Sequence, residues 1–394
     1  MMSGKTMLRS KWNQVSVWLV VVSVIGGAAL WCSAYVTLGV AVITLTCMAL
    51  VCAPIRRLLQ PGERTVETPV VVVPEKDPAR LEGCGKLVCQ LVTEGRYSLL
   101  LRKEIVENLQ PFDQQVARQE MEECMAIVPA GRVMMEPWQP NDRDDEEPAG
   151  RLISVESLYV DRYTVTNGEY QAFVDAGGYE QPTLWNPDLL PAVLEFNDQT
   201  GYPGPRFWKS GRFLEGTEHH PVVGVSWYEA EAYARWVGKR LPTSPEWVKS
   251  GAWPVEAGGM LPKQRKYPWG EAMDRGKANL WGSGFGTTCS VYQLSSGGSV
   301  NGIQQLIGNV WEWTTTDFVP KDETGRSLLL AAPMKTIRGG AFDTYFDQQA
   351  TCHFQSGDTL MARKHNIGFR CALSCCDVHQ MADPCEFVEE LIVA

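Results

Sequence analysis

The most prominent feature of the hydrophobic pattern is an apolar run near the N-terminus. No charged residue lies between positions 13 and 55, whereas about 20 apolar residues suffice for one membrane-spanning helix. Three basic residues precede the run, and Arg56 and Arg57 follow it. Because positively charged flanks stay on the cytoplasmic side, the pattern predicts a transmembrane hairpin within residues 1–57, which places the C-terminal domain in the cytoplasm. A single membrane pass is the alternative.

Residues 58–124 are predicted to be a linker with short helices. Four prolines between positions 61 and 78 interrupt regular structure at its start. "RYSLLLRKEIVENLQ", residues 96–110, carries apolar side chains at roughly helical spacing, and we expect Pro111 to end or kink this helix. A second short helix is expected over "FDQQVARQEMEECM".

From Met125 the pattern changes to short alternating segments that are typical of strands. "MAIVPAGRVMM" alternates in this way, with a turn at residues 129–131. The stretch before Ser226 is likewise expected to be a strand. These segments are short, and strands and helices do not alternate regularly, so the pattern favours a loop-rich α+β domain over a parallel sheet.

Two helices in this region have recognisable start signals. Thr166 and Ser226 are each followed three residues later by a glutamate, which is the capping-box spacing. Glycines at 177–178 and at 238 are expected to end these two helices.

Composition narrows the function classes. The chain has 394 residues and a net charge of −10 without a basic block, so nucleic acid is not expected as a partner. The 14 tryptophans and 36 glycines indicate loops held by aromatic packing. The 12 cysteines are irregularly spaced, which is not the pattern of a small disulfide-rich secreted domain.

Seven motifs together resemble one known family. They are, in chain order, "VDRYTVTNGEYQAFV", "HPVVGVSWYEAEAYARWVGKRLPTSPEW", "YPWGE", "NLWG", "GNVWEWT", "IRGGAF" and "NIGFRCA". Over residues 125–373 this order resembles the formylglycine-generating enzyme (sulfatase-modifying factor) family, and residues 374–394 remain as a C-terminal tail. The resemblance implies a C-type-lectin-like, loop-rich α+β fold, a functional face between Arg338 and Arg370, and a bacterial source.

The resemblance also sets an expectation about chemistry. Oxidase members of the family carry two cysteines after the Gly-Gly pair, and thiolates are soft ligands that suit Cu(I). The matching positions here are Thr344 and Gln349, so we expect neither catalytic residues of that type nor a copper site. The leading hypothesis is a membrane-anchored, non-catalytic module that binds an unknown protein or small ligand through residues 341–365.

Candidate ligand-binding residues follow from this loop and its surroundings. They are Asp343, Tyr345, Phe346, His353, Phe354 and Trp311. Aromatic side chains suit a protein partner because they dominate interface energetics. The alternative is a metal-dependent oxidoreductase of the same family with altered chemistry, in which Cys352, His353 or Asp343 does the work.

Two further expectations come from the resemblance. It implies a calcium site formed by Gln305, Gly308, Val310 and Glu312, and oxygen ligands suit calcium. A buried Glu312 that accepts N–H bonds is the alternative.

Ala234 and Gly251 stand where secreted relatives place cysteines. Cys352 and Cys371 are therefore expected to be reduced.

Overall fold

The computed structural model describes residues 78–135, 151–252, 264–320, 326–328 and 330–378. These residues all belong to one compact unit that covers positions 69–394. The predicted transmembrane hairpin in residues 1–57 lies outside the described residues, as does most of the tail. Within the described ranges, every helix is too short or too polar to span a bilayer.

The N-terminal part is helical. A 3₁₀ turn at Pro78–Leu81 precedes helices α1 (Lys86–Thr93), α2 (Tyr97–Leu100), α3 (Lys103–Val106) and α4 (Pro111–Cys124). Helix α4 confirms the expected second short helix. Pro111 begins α4 instead of ending a helix, since proline at the first helical position needs no N–H partner.

The single helix predicted over residues 96–110 is wrong. The chain becomes extended at Arg102, with φ −67° and ψ 141°, which separates α2 from α3. Leu100 and Leu101 are both buried, and Lys239 Nζ donates to the Tyr97 hydroxyl at 2.8 Å. Tertiary contacts with the main domain therefore override the helical spacing of this segment.

Nine short strands occur in the described part. They are β1 (Met125–Val128), β2 (Gly131–Met135), β3 (Arg151–Val155), β4 (Leu158–Asp161), β5 (Trp311–Asp317), β6 (Met334–Arg338), β7 (Gln355–Thr359), β8 (Ile367–Gly368) and β9 (Ala372–Ser374). They form three sheets with the orders β1-β4-β9, β2-β3 and β7-β6-β5-β8. All pairs are antiparallel except β5 with β8. This mixture of helix and sheet agrees with the predicted α+β class.

Four helices follow β4 within the described residues. They are α5 (Asn167–Asp175), α6 (Leu190–Val193), α7 (Trp227–Trp236) and α8 (Ser244–Ala252). Both predicted capping boxes are confirmed, at Thr166 and Ser226. Further 3₁₀ turns lie at Gly178–Glu180, Pro182–Leu184, Pro187–Leu189, Ser295–Gly297, Asp347–Gln349 and Cys375–Asp377.

The strand expected before Ser226 is wrong. This segment forms only an isolated bridge, between Thr166 and Pro221. Two of its valines, Val222 and Val225, lie three positions apart and are completely buried in the main core. These two side chains therefore anchor a buried loop.

Aromatic packing builds the core between α5 and α7. Tyr170 stacks on Tyr233 with ring centroids 5.3 Å apart and an interplanar angle of 16°. Trp313 of strand β5 is completely buried in the same cluster. The core thus holds β5 in place, and the ends of β5 position the loops described next.

Candidate functional site

The Gly-Gly pair makes a turn that only glycine fits. Gly339 and Gly340 have φ values of +98° and +78°. A Cβ atom added at Gly339 would lie 2.5 Å from the Leu306 carbonyl oxygen. The Gly308 N–H donates to the Gly339 carbonyl at 3.0 Å, so this turn holds residues 341–365 against the segment that leads into β5.

The two positions of the family cysteines carry other chemistry. Thr344 is buried, and its hydroxyl accepts a hydrogen bond from the Ala341 N–H at 2.8 Å. Gln349 ends the 3₁₀ turn Asp347–Gln349. The nearby Cys352 is completely buried, and burial raises its thiol pKa well above the ordinary value. Thr344 and Gln349 therefore shape the loop and supply no thiolate.

Asp343, His365 and Asn366 meet beside this turn, and we call them the polar cluster. The Asn366 side-chain amide donates to both Asp343 carboxylate oxygens, at 3.0 and 3.2 Å. His365 Nε2 lies 3.5 Å from Asp343 Oδ2. Asn366 Oδ1 is buried and accepts no hydrogen bond from any of the described residues. Buried acceptors are nearly always satisfied, so this oxygen marks the polar cluster as a candidate ligand site.

Two aromatic rings lie beside His365 of the polar cluster. The His365 ring lies 5.7 Å from the Phe342 ring and 6.4 Å from the Phe207 ring, measured between centroids. Trp311 donates its backbone N–H to the Asn366 carbonyl and lies 6.1 Å from the Phe354 ring. Sequence reasoning proposed Trp311, Phe354 and Asp343 for this region.

The ligand-binding predictions missed Asn366 and Phe207. Asn366 had a signal, because it begins the "NIGFRCA" motif. Phe207 had none, since it lies in a loop more than 130 residues earlier in the chain.

His353 is directed elsewhere. Its ring is hydrogen-bonded to the backbone of Arg265. Burial, and then the charge of Arg338, lower the pKa of the His353 imidazole below its ordinary value. His353 is therefore not part of the polar cluster.

Tyr345 and Phe346 form a second, outer feature. They are 62% and 57% exposed, and the Tyr345 ring contacts both Phe346 and the 56% exposed Trp281. An ion pair between Arg275 and Asp347 adjoins them. We call Trp281, Tyr345 and Phe346 the exposed aromatic cluster. Apart from His353, the predicted ligand-binding residues thus lie either in or near the polar cluster or in the exposed aromatic cluster.

The residues named for calcium do not fit an open cation site. Both Glu312 carboxylate oxygens accept bonds from the Arg370 guanidinium, and Trp247 Nε1 donates to one of them at 2.7 Å. Gln305 Oε1 accepts from Asn309, and the Gly308 carbonyl accepts from the Val310 N–H at 2.9 Å. This geometry favours the buried-carboxylate interpretation of Glu312, and calcium stays a prediction.

Side chains that bind metals are dispersed in the described ranges. No group of three or more His, Cys, Asp or Glu residues there is arranged to hold a metal ion. None of the eight described cysteines, Cys352 and Cys371 included, forms a disulfide with another described residue.

Comparison with protein families gives a match over residues 112–375 to the sulfatase-modifying factor enzyme 1-like domain. The match begins within α4, ahead of the boundary predicted at residue 125, which stays a prediction.

Individual relatives are similar over different lengths. The hercynine oxygenase of Mycolicibacterium smegmatis is 35% identical over 189 residues, which are 46% of this chain and 42% of that relative. The chain thus spans less than half of the hercynine oxygenases it matches. The inactive C-alpha-formylglycine-generating enzyme 2 of Mus musculus is 32% identical over 64% of this chain and 86% of that relative. Among solved structures, PvdO from Pseudomonas aeruginosa matches 64% of this chain and 94% of its own, with 21% identity and a TM-score of 0.43.

Proposed function

Because the chain belongs to the sulfatase-modifying factor enzyme 1-like family, we propose that it is a binding member of that family without oxidase activity. Its ligand site is the polar cluster together with the surrounding aromatic rings. The observation that carries this proposal is the Asn366 amide: its nitrogen donates to Asp343, while its buried oxygen accepts no hydrogen bond within the part of the chain that the structure describes.

The chemistry of the cluster indicates the kind of ligand. Asn366 Oδ1 needs a hydrogen-bond donor, and the half-buried Asp343 favours a positive charge nearby. Aromatic faces such as those of Phe342 and Phe207 also attract cations. A ligand that carries an amino or guanidinium group meets all three requirements.

The exposed aromatic cluster supports a polypeptide as the source of that group. Exposed apolar side chains that touch one another mark interaction surfaces, and aromatic residues are common anchors in interfaces. Tyr345 lies only two residues after Asp343. A partner chain can therefore place a basic side chain at the polar cluster while its apolar neighbours cover Tyr345 and Phe346.

Binding of small probes tests the inner site. N-acetylarginine amide should bind and change the tryptophan fluorescence of the protein, whereas its neutral counterpart N-acetylcitrulline amide should bind at least about tenfold more weakly, the range expected for a charge-assisted hydrogen bond. Asp343→Asn should remove this preference, and Tyr345→Ala should leave it unchanged. Equal binding of both probes to the unsubstituted protein would refute the site.

The non-oxidase part of the proposal has its own test. A sulfatase-type peptide with its target cysteine, supplied with copper and oxygen, should remain unmodified because Thr344 and Gln349 offer no thiolate. An aldehyde in that peptide would contradict the proposal.

A second candidate is a metal-dependent oxidoreductase with altered chemistry, which the 35% identity to a hercynine oxygenase favours. Stoichiometric iron or copper in the purified full chain would support this enzyme. Protein without metal that still prefers the arginine probe would support the binding module.

A further inference from the structure

We propose that His365 is an internal competitor for the cation of the ligand, so that the site holds a cationic group at neutral pH and releases it in mild acid. This inference rests on the proposed function, because it concerns the same polar cluster. It assigns to His365 the pH range over which the site accepts a cation.

His365 lies at ion-pair distance from the carboxylate that attracts the ligand. Its Nε2 atom is 3.5 Å from Asp343 Oδ2, and the two side chains are 61% and 31% exposed, respectively. The Asn366 amide donates to both oxygens of the same carboxylate. An amide donates hydrogen bonds but carries no charge, so the negative charge of Asp343 remains for a positive partner.

Packing holds the imidazole beside the carboxylate. The Phe342 and Phe207 rings meet the His365 ring edge to face, with centroids 5.7 and 6.4 Å away. The backbone just before His365 is held as well, since Gly224 donates its N–H to the Lys364 carbonyl at 2.8 Å. The imidazole is therefore positioned to respond to the charge of the carboxylate and to that of any cation bound there.

Several charged groups in addition to Asp343 lie on the elements packed against His365. They are Arg206 of the loop that carries Phe207 and, on the segment of His365 itself, the ion pairs of Arg363 with Glu229 and of Lys364 with Asp358. Arginine, lysine and aspartate side chains normally keep their charge between pH 5 and 8, whereas histidine changes its charge there. Burial raises the pKa of the Glu229 carboxyl, so substitution of His365 itself is needed to assign a pH effect to it.

The charge of His365 decides which partner the Asp343 carboxylate binds. Neutral His365 leaves the carboxylate to the guanidinium or ammonium group of the ligand. Protonated His365 forms an ion pair with Asp343 and disfavours a second positive charge nearby. A partly exposed ion pair of this kind should lower the affinity for a competing cation by about two- to fivefold.

Cation binding and protonation are therefore coupled in both directions. A cation at Asp343 disfavours protonation of His365 by the same factor by which the proton weakens cation binding. Cation binding should therefore strengthen as pH rises through the range in which the histidine loses its proton, and it should release protons within that range. A neutral ligand lacks this coupling.

The pH dependence of probe selectivity tests the inference on the full chain. Isothermal titration calorimetry at constant ionic strength gives the dissociation constants of N-acetylarginine amide and N-acetylcitrulline amide at pH 7.5 and at pH 5.5. The ratio of the two constants removes effects that are common to both probes. The preference for the charged probe should be about two- to fivefold smaller at pH 5.5 than at pH 7.5.

Three variants assign the effect to His365. His365→Gln should show one preference at both pH values, because glutamine cannot gain a charge. His365→Lys carries a positive charge at both pH values and should show the reduced preference at both. His219→Gln is the matched control and should retain the pH dependence, since the His219 ring lies 5.3 Å from the Tyr292 ring instead of in the polar cluster. Thermal unfolding at both pH values checks that each variant is folded.

Proton release is a second readout, which a purely structural role of His365 would not produce. Calorimetry at pH 6.5 in buffers of different ionisation enthalpy should detect protons released when the arginine probe binds to the unsubstituted chain. His365→Gln should release fewer protons.

Two results would overturn the inference and leave the proposed ligand site unaffected. One is a preference for the arginine probe that is equally large at both pH values. The other is a loss of preference at pH 5.5 that persists in His365→Gln, because another group would then be the one that titrates. Absence of any preference at pH 7.5 would instead refute the proposed ligand site, and this inference with it.

Discussion

Glu312 and Arg370 form a bidentate ion pair in which both side chains are completely buried, with oxygen–nitrogen distances of 2.7 Å. The two residues belong to different motifs and are 58 positions apart. Glu312 lies on β5, and Arg370 follows β8, the strand parallel to it. The pair therefore links the "NIGFRCA" segment, which includes Asn366, to strand β5, which carries Trp311.

Removal of one charge from this pair should destabilise the domain strongly. Glu312→Gln leaves the Arg370 guanidinium buried without a counter-charge, and breaking a buried pair in this way costs about 3–5 kcal/mol. The free energy of unfolding in urea measures the effect. Asp175→Asn is the control, because its pair with Arg212 is exposed and should contribute less than about 1 kcal/mol. Similar losses in both variants would contradict the interpretation.

A comparison of two glycines separates the stability cost of the close contact at Gly339 from the cost of its left-handed backbone. Gly339 and Gly284 share a φ of +98°, but a Cβ at Gly284 would meet nothing within 4 Å. Alanine at either position should cost about 1–3 kcal/mol for the left-handed backbone. Gly339→Ala should lose about 1–3 kcal/mol more, because its methyl group collides with Leu306. Thermal and urea unfolding measure this difference, and equal losses would show that the turn can relax.

The position at Gly251 should accept a disulfide to Cys352. A Cβ at Gly251 would lie 2.9 Å from Cys352 Sγ, close to the ~3 Å that bonded cysteines require. Oxidised Gly251→Cys protein should lose both free thiols and gain about 2–4 kcal/mol of stability. Maleimide labelling followed by mass spectrometry counts the thiols, and Gly251→Ser is the control. Two thiols that stay free after oxidation would show that the pair cannot close.

His353 should make the stability depend on pH. Burial and Arg338 lower the pKa of His353 in the folded state, while an unfolded histidine titrates near 6.5. The unfolded state therefore binds the proton more readily, so this contribution is complete above about pH 6.5 and is lost as pH falls. Between pH 7 and 5, His353→Gln should lose less unfolding free energy than the unsubstituted chain. At pH 8 the His353 side chain is neutral in both the folded and the unfolded state, so a comparison of the two proteins at this pH isolates the packing effect. Parallel curves of unfolding free energy against pH would refute the prediction.

Much of the domain could be predicted from short sequence signals. The capping boxes at Thr166 and Ser226 were predictable because each requires only residues three positions apart. The motif order identified the family, and the Gly-Gly pair indicated a turn that excludes side chains. The loss of thiols at positions 344 and 349 was also visible in the sequence alone.

Only the tertiary structure shows which distant segments of the chain come into contact. The helix predicted over residues 96–110 is interrupted at Arg102, and Leu100 and Leu101 beside the break are buried in a cluster formed mainly by the N-terminal helices. The sequence indicates Glu312 as a possible cation ligand, and only the fold shows that Arg370 lies beside it. The orientation of the Asn366 amide likewise depends on Asp343, which accepts a hydrogen bond from its nitrogen and leaves its oxygen without a partner among the described residues. Short-range hydrogen bonds are encoded within a few residues, whereas the site depends on contacts between distant segments that only the packed fold brings together.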